Sequence, residues 1–173
     1  WGAGIGAGAQ SDGQVTINGG TINATGGKQG AGIGGAGARK DGVTYTGDGD
    51  VTINGGTINA TGGKMAAGIG GGAYGNGEVE ITGGKITAQG TDSYGSGIGG
   101  GMGSLEKIPV HSSSTGKTEP ADPAGKIIGG NGTVTISGGT IEASGSDYCA
   151  GIGSGYQGDG NVTITGDATI KNA

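Results

Sequence analysis

Four tyrosines are the residues of this sequence best suited to binding a sugar. All four stand close to a Gly-Ile-Gly segment, and they are Tyr74, Tyr94, Tyr148 and Tyr156. An aromatic side chain offers a broad apolar ring for stacking and, in tyrosine, a hydroxyl for hydrogen bonding. We therefore expect a carbohydrate-binding surface at these positions. The structural alternative is that the rings only cover neighbouring segments of the chain.

Threonine recurs in the middle of a Val-Thr-Ile segment. The recurring threonines are Thr16, Thr52, Thr135 and Thr163. Stacked in a row, their hydroxyls would bind sugar hydroxyls, or would order water as the ice-binding solenoids do. Threonine is also a good strand residue on any solvated sheet face. Glu80 takes the same place in the third copy, which argues against an ice-binding row.

Three aspartates share one place in the pattern, each directly before a glycine: Asp12, Asp48 and Asp159. Stacked carboxylates with nearby backbone oxygens are ligands that Ca²⁺ prefers, so a calcium site is one interpretation. The other is a turn, in which the acidic side chain caps its own backbone and the glycine adopts a positive φ. The spacing differs from the nonapeptide pattern of calcium-binding β-rolls.

These residues belong to a pattern that occurs five times. Each copy contains Gly-Ile-Gly, then Val-x-Ile, then a further Ile-x-Ala-like pair; the Gly-Ile-Gly isoleucines are Ile5, Ile33, Ile69, Ile98 and Ile152. Successive isoleucines lie 28, 36, 29 and 54 residues apart. A repeat of this length is typical of a solenoid. The extra length falls between Gly-Ile-Gly and Val-x-Ile, which predicts corner insertions near residues 36–46 and 103–128.

Each copy predicts three short strands in a coil of about 28 residues. Alternation directs Val51, Ile53, Ile58 and Ala60 inward and the polar residues between them outward. Gly-Gly pairs between the second and third strands suit a corner that requires a positive φ. The predicted fold is all-β: a single-stranded parallel β-helix, or β-solenoid, of about five coils. It is expected to be right-handed and to form one domain over residues 1–173, as a piece of a longer protein.

The glycines on either side of each Gly-Ile-Gly isoleucine are predicted to point away from the core. This would leave one wall of the solenoid without side chains, open to a second solenoid chain or to a sugar ring. The alternative is that a loop, such as the insertion at 103–128, covers the wall.

Composition excludes several classes of function. The chain has 50 glycines in 173 residues and a net charge of −5, so it offers no basic surface for nucleic acid. No apolar run is long enough to span a membrane. With one histidine, one cysteine and no Ser-His-Asp grouping or metal-binding cluster, the sequence predicts no enzyme and no cofactor other than the calcium considered above.

The segment Val134 to Ile141, which reads Val-Thr-Ile-Ser-Gly-Gly-Thr-Ile, carries a resemblance to known families. It resembles the glycine-rich repeats in large surface proteins of Gram-positive, often gut-dwelling, bacteria. It is also similar to a β-helical carbohydrate-binding family related to polysaccharide lyases. That family has Gly-Asp-Gly-Ile-Asp where this chain has Gly-Ile-Gly, so lyase chemistry is not implied.

Together these observations predict a non-catalytic segment of a bacterial extracellular or cell-surface protein, acting as an adhesive or structural stalk. Its expected partner is a glycan or polysaccharide, or another solenoid chain. The alternatives are a dedicated carbohydrate-binding module and an ice-binding solenoid.

Overall fold

The chain forms a stack of short parallel strands in the computed structural model, which describes residues 1–41, 43–91, 94–104, 110–111, 118–119 and 129–171. In chain order the strands are β1 (Ile5–Gly6), β2 (Gly13–Ile17), β3 (Thr21–Thr25), β4 (Ile33–Gly34), β5 (Ala38–Lys40), β6 (Val43–Tyr45), β7 (Gly49–Ile53), β8 (Thr57–Thr61), β9 (Ile69–Gly70), β10 (Gly77–Ile81), β11 (Lys85–Gln89), β12 (Ile98–Gly99), β13 (Val110–His111), β14 (Thr118–Glu119), β15 (Gly132–Ile136), β16 (Thr140–Ser144), β17 (Ile152–Gly153), β18 (Gly160–Ile164) and β19 (Thr169–Lys171).

Three parallel sheets of five strands run the length of the stack. The first has the order β1-β4-β9-β12-β17, the second β18-β15-β10-β7-β2 and the third β19-β16-β11-β8-β3. Every coil gives one strand to each sheet, and equivalent residues of successive coils pair without a shift in register. The predicted parallel β-helix of about five coils is confirmed.

The core is a column of small branched side chains, as the alternation predicted. Val51, Ile53 and Ile58 are fully buried, and the same positions of the neighbouring coils join them in one apolar cluster. In the second sheet, strands β7 and β10 alternate between buried and more exposed residues along their whole length. Because each coil buries its branched residues against the coils on either side, the stacking of coils stabilises the fold.

The Gly-Gly corners also agree with the prediction. The second glycine of each pair has a positive φ, for example 103° at both Gly56 and Gly84. A side chain is strained in this conformation, whereas glycine adopts it without a steric penalty.

The glycine after each corner aspartate or asparagine is required for a different reason from the one predicted. These glycines do not have positive φ; they begin the second-sheet strands. A Cβ added at Gly49 would overlap the carbonyl oxygen of Gly70 in the next coil, and one at Gly77 would overlap that of Gly99. The expected left-handed turn is therefore wrong, and close contact between backbones explains the glycine.

The bare glycine wall is also wrong. Gly32, Gly34, Gly68 and Gly70 are buried rather than exposed. A Cβ at Gly32 would come within 2.8 Å of the backbone nitrogen of Thr61, because the first-sheet strand packs directly on the end of a third-sheet strand. In the inner coils, this face therefore offers no flat surface to a second solenoid or to a sugar.

The two insertions meet beside the stack, although one whole coil separates them. Strands β5 and β6 form an antiparallel hairpin from the first insertion, and β6 pairs in parallel with β13 from the second. With β14 they form a four-stranded sheet of the order β14-β13-β6-β5, which we call the side sheet. Much of the predicted 103–128 insertion lies outside the described residues.

Candidate functional site

Three of the four tyrosines considered in the sequence come together. The rings of Tyr94 and Tyr156 lie 4.6 Å apart between centroids, and Tyr148 meets Tyr156 edge-on at 6.3 Å. The Tyr148 side chain is 84% exposed. We call these three residues the tyrosine cluster. It presents an aromatic surface to solvent beside the fourth and fifth coils.

The turns that flank the first sheet position this cluster. Tyr94 and Tyr148 have positive φ values of 80° and 63°, which are uncommon for residues other than glycine. The N–H of Tyr156 donates to the carbonyl of Tyr94 at 3.3 Å, joining the turn after one first-sheet strand to the turn before another. Backbone strain at these turns is thus offset by hydrogen bonds between coils.

Tyr74 lies apart from the cluster and is buried, with only 5% of its surface exposed. Its hydroxyl donates to the Met65 sulfur at 3.7 Å. Gly129, at the end of the second insertion, also packs against the Tyr74 backbone, since a Cβ at Gly129 would overlap the Tyr74 carbonyl oxygen. A sugar cannot reach this ring, so Tyr74 is not part of the site that we propose below.

The threonine row occurs in the order read from the sequence. Across the second sheet, Thr16 pairs with Thr52, Glu80 pairs with both Thr52 and Thr135, and Thr135 pairs with Thr163. All of these residues except Thr52, which is half-buried, are exposed. The row is therefore accessible to a ligand, with a carboxylate at its centre.

Neighbouring amides on the outer faces bond to each other from coil to coil. Asn54 donates from Nδ2 to Asn18 Oδ1 at 2.8 Å, and Asn59 donates in the same way to Asn23 at 2.8 Å. The Thr82 hydroxyl donates to Asn54 Oδ1 at 3.0 Å. These ladders link the first three coils, so part of the polar surface stabilises the stack.

The corner aspartates form a ladder of their own with the corner asparagines. Asp12 Oδ1 accepts the backbone N–H of Asp48 at 2.9 Å, and Asp48 Oδ1 accepts that of Asn76 at 2.7 Å. Asn131 Oδ1 accepts the N–H of Asp159 at 2.8 Å. Each side chain thus caps the next coil rather than its own turn, which corrects the predicted self-capping.

This ladder does not gather the three aspartates that were considered as calcium ligands. Asp12 and Asp48 are on adjacent coils, but two asparagine coils separate them from Asp159. In the part of the chain that the structure describes, no group of three or more His, Cys, Asp or Glu side chains is placed to hold a metal ion. Burial raises the pKa of the Asp48 carboxyl, against the opposing hydrogen bond from Asn76.

A cavity of about 400 Å³ lies at the last coil and includes Ala143, Ile152 and Ile170 in its lining. Their counterparts in earlier coils are core residues, so this cavity is a part of the core that no side chain fills. Half-buried Cys149 also lines it, and burial raises the pKa of its thiol.

Elsewhere, Gln29 Oε1 is the single buried side-chain nitrogen or oxygen without a hydrogen bond among the described residues.

A second cleft, of about 390 Å³, was missed in the sequence. It is lined by Trp1, Ala9, Gln10, Ala38 and Lys40. The first coil and the edge strand β5 of the side sheet build it together, so it depends on where the first insertion folds back. The one signal for it in the sequence is Trp1, the only tryptophan of the chain, which lies outside the repeated pattern.

Three in-register parallel sheets wound from one chain define a parallel β-helix. The chain belongs to the beta helix repeat family, whose model matches residues 15–37, 51–73, 79–102 and 134–156, more than half of the 173 residues. Each match starts at a second-sheet valine and runs beyond the Gly-Ile-Gly segment of the next coil. No curated protein and no solved structure matches the chain. The structure has no helix, among its described residues, that is long and apolar enough to cross a membrane.

Proposed function

We propose that this solenoid is a non-catalytic, glycan-binding segment of a bacterial surface or secreted protein, in which the tyrosine cluster contacts the sugar. The observation that carries the proposal is the meeting of Tyr94, Tyr148 and Tyr156 at the surface. Aromatic side chains gathered on a rigid frame bind with little loss of conformational freedom, because stacking and hydrogen bonds between coils already hold their backbone.

The solenoid suits an adhesive role because its ligand groups repeat along a rigid axis. Thr16 and Thr52, and again Thr135 and Thr163, lie on adjacent strands about 4.8 Å apart, with Glu80 between the two pairs. Hydroxyls in such a row supply donors and acceptors that match those of a sugar chain. The polar rows are therefore a supporting contact surface, with the tyrosine cluster as the main site.

The test is a panel of immobilised polysaccharides in the presence of calcium, followed by titration calorimetry on any that bind. Tyr148→Ala should weaken binding at least about fivefold, because one stacked aromatic ring contributes about 1 kcal/mol. The matched control is Tyr74→Phe, which removes only the hydroxyl of a buried tyrosine outside the cluster. Thermal unfolding of both variants checks that the fold is intact.

Saturable binding that is lost in Tyr148→Ala and kept in Tyr74→Phe would support the proposal. A panel without saturable binding would overturn it and favour a structural stalk, for which the amide ladders between coils are the specific observation. The ice-binding alternative would be detected as thermal hysteresis. We expect no thermal hysteresis, because Glu80 interrupts the threonine row at its centre.

A further inference from the structure

The cleft at the first coil combines apolar lining residues with one positively charged residue, Lys40. Ala9, on a turn of the first coil, and Ala38, on β5, both line it. Trp1 and Lys40 also line it. A cleft of about 390 Å³ is large enough for a small ligand of one or two rings.

Trp1 is a suitable stacking surface in this cleft. Its side chain is 54% exposed, and Lys28 Nζ lies 5.5 Å from the centre of its rings. A cation over an indole ring is attracted to it, which favours one orientation of an otherwise exposed residue. The indole is thereby held beside the cleft, where a sugar can pack its C–H face on the ring.

The charged side chains placed at the cleft are positive, although the protein has a net charge of −5 and only nine lysines and arginines. Lys40 is on the cleft and Lys28 is on its tryptophan. An ammonium group forms charge-assisted hydrogen bonds with a carboxylate. Charge complementarity therefore selects a ligand that carries a carboxylate.

We propose that the cleft between Trp1 and Lys40 binds a carboxylated sugar unit, that is, a uronic acid of an acidic polysaccharide. The sugar ring stacks on Trp1 and its carboxylate pairs with Lys40. The choice of a sugar rests on the proposed glycan-binding function, while the site is separate from the tyrosine cluster. Three to four coils lie between the two, or roughly 15–20 Å along the axis.

The single tryptophan makes the test specific to this cleft. Titration of the full chain with a glucuronic acid oligosaccharide should change the Trp1 fluorescence, because no other tryptophan contributes to the signal. The methyl ester of the same oligosaccharide keeps the rings and removes the charge. It should bind at least about tenfold more weakly, the loss expected for one charged hydrogen bond. Raising the salt from about 0.1 M to about 1 M should weaken the acid form only.

Variants separate this inference from the proposed function. Lys40→Gln should abolish the preference for the acid over the ester, while Lys85→Gln, which changes an exposed lysine of β11 in the third coil, should leave it unchanged. Trp1→Ala removes the fluorescence signal, so its binding is measured by calorimetry. It should bind the acid form more weakly than the parent protein does. Equal binding of acid and ester, or native binding by Lys40→Gln, would overturn the inference.

The tyrosine cluster has an independent outcome in the same assay. If only Tyr148→Ala weakens binding, the tyrosine site stands and the cleft proposal falls. If only Trp1→Ala and Lys40→Gln weaken it, the cleft stands and the tyrosine site falls. An absence of binding to every sugar tested would overturn both.

Discussion

The side chain of Asp48 reaches from one coil to the next, where its Oδ1 accepts the backbone N–H of Asn76 at 2.7 Å. A second hydrogen bond joins the same two coils with the donor on the other side: the N–H of Gly49 donates to the Asn76 carbonyl at 2.9 Å. The corner side chain therefore extends the backbone hydrogen bonding of the second sheet by one step beyond the strand. The same pair of bonds recurs at the corner of Asp12 and Gly13.

Removal of the Asp48 side chain should destabilise the solenoid. Asp48→Ala leaves the Asn76 N–H without its acceptor, and an unsatisfied, partly buried donor costs about 1–3 kcal/mol. Urea unfolding followed by circular dichroism measures the loss. Glu78→Ala, an exposed carboxylate of the same sheet, is the control and should unfold like the parent. Equal stability of Asp48→Ala and the parent would show that the ladder contributes nothing.

Asp48→Asn should instead increase stability at neutral pH. The amide keeps the acceptor, as Asn76 and Asn131 show at the same corner. Burial, and to a smaller extent the charge of Asp12, raise the pKa of Asp48 above its usual 3.8. The folded protein then binds this proton more tightly than the unfolded chain does, so the contribution of Asp48 to the free energy of unfolding falls as pH rises through 3.8 toward the raised value.

Unfolding of Asp48→Asn and the parent across this pH range measures the effect. The advantage of the variant should be smallest in acid and should grow as pH rises, until the Asp48 carboxyl is fully ionised in the folded state. Parallel pH profiles of the two proteins would contradict the burial of this charge.

A methyl group at Gly77 should be far more damaging than one at Gly19. Gly77→Ala places a Cβ on the carbonyl oxygen of Gly99, part of the rigid backbone of the next coil, and such overpacking costs about 1–3 kcal/mol or more. Gly19→Ala is the matched control, because no atom lies within 4 Å of the added Cβ and the φ is not positive. Thermal unfolding should separate the two. Similar melting temperatures would mean that the coils are not packed this closely.

Truncation of the central core should lower stability by about 2–5 kcal/mol, as is typical for a buried isoleucine. Ile53→Ala tests this in β7, where the side chain is fully buried between two coils. Thr52→Ala, which removes an outward-facing side chain from the same strand, should change the free energy of unfolding by less than about 1 kcal/mol. The reverse order of the two effects would invert the assignment of inner and outer faces.

Deletion of residues 104–127 should leave the solenoid folded. Three of the five coils close the same corner in 10 residues without an insertion, so the three main sheets do not require it. The deletion removes the partner of β6 in the side sheet and should therefore loosen the hairpin at 38–45. Hydrogen exchange should show faster exchange at the hairpin and unchanged protection in the second sheet. Aggregation or loss of the cooperative transition would contradict this register.

The sequence predicted the architecture well because the repeat is written in local patterns. Val51 and Ile53 alternate with polar residues, and a strand with that alternation buries one face whatever coil it occupies. The Gly-Gly corners were equally readable, since Gly56 requires a positive φ that a local turn imposes. Five copies of the same pattern then determined the number of coils.

The candidate site was only partly predictable. All four tyrosines stand close to a Gly-Ile-Gly segment, but Tyr74 is buried beside Met65 while Tyr148 is exposed, and no spacing within one coil distinguishes the two. The roles of the glycines were misread for a related reason. At Gly49 only the closeness of the Gly70 carbonyl oxygen excludes a Cβ, whereas Gly34 meets the same oxygen and also has a positive φ of 130°.

By itself the sequence determined the β-helix, its coil length, its inward residues and its two insertions, since each follows from spacing within one coil. The tertiary structure alone decided which turns meet: Tyr94 with Tyr156, Asp48 with Asn76, and the β5 strand with the turn that carries Gln10. Those contacts join residues 28 or more positions apart. They arise from the stacking of coils and from the path of the insertions, which no periodicity within a coil records.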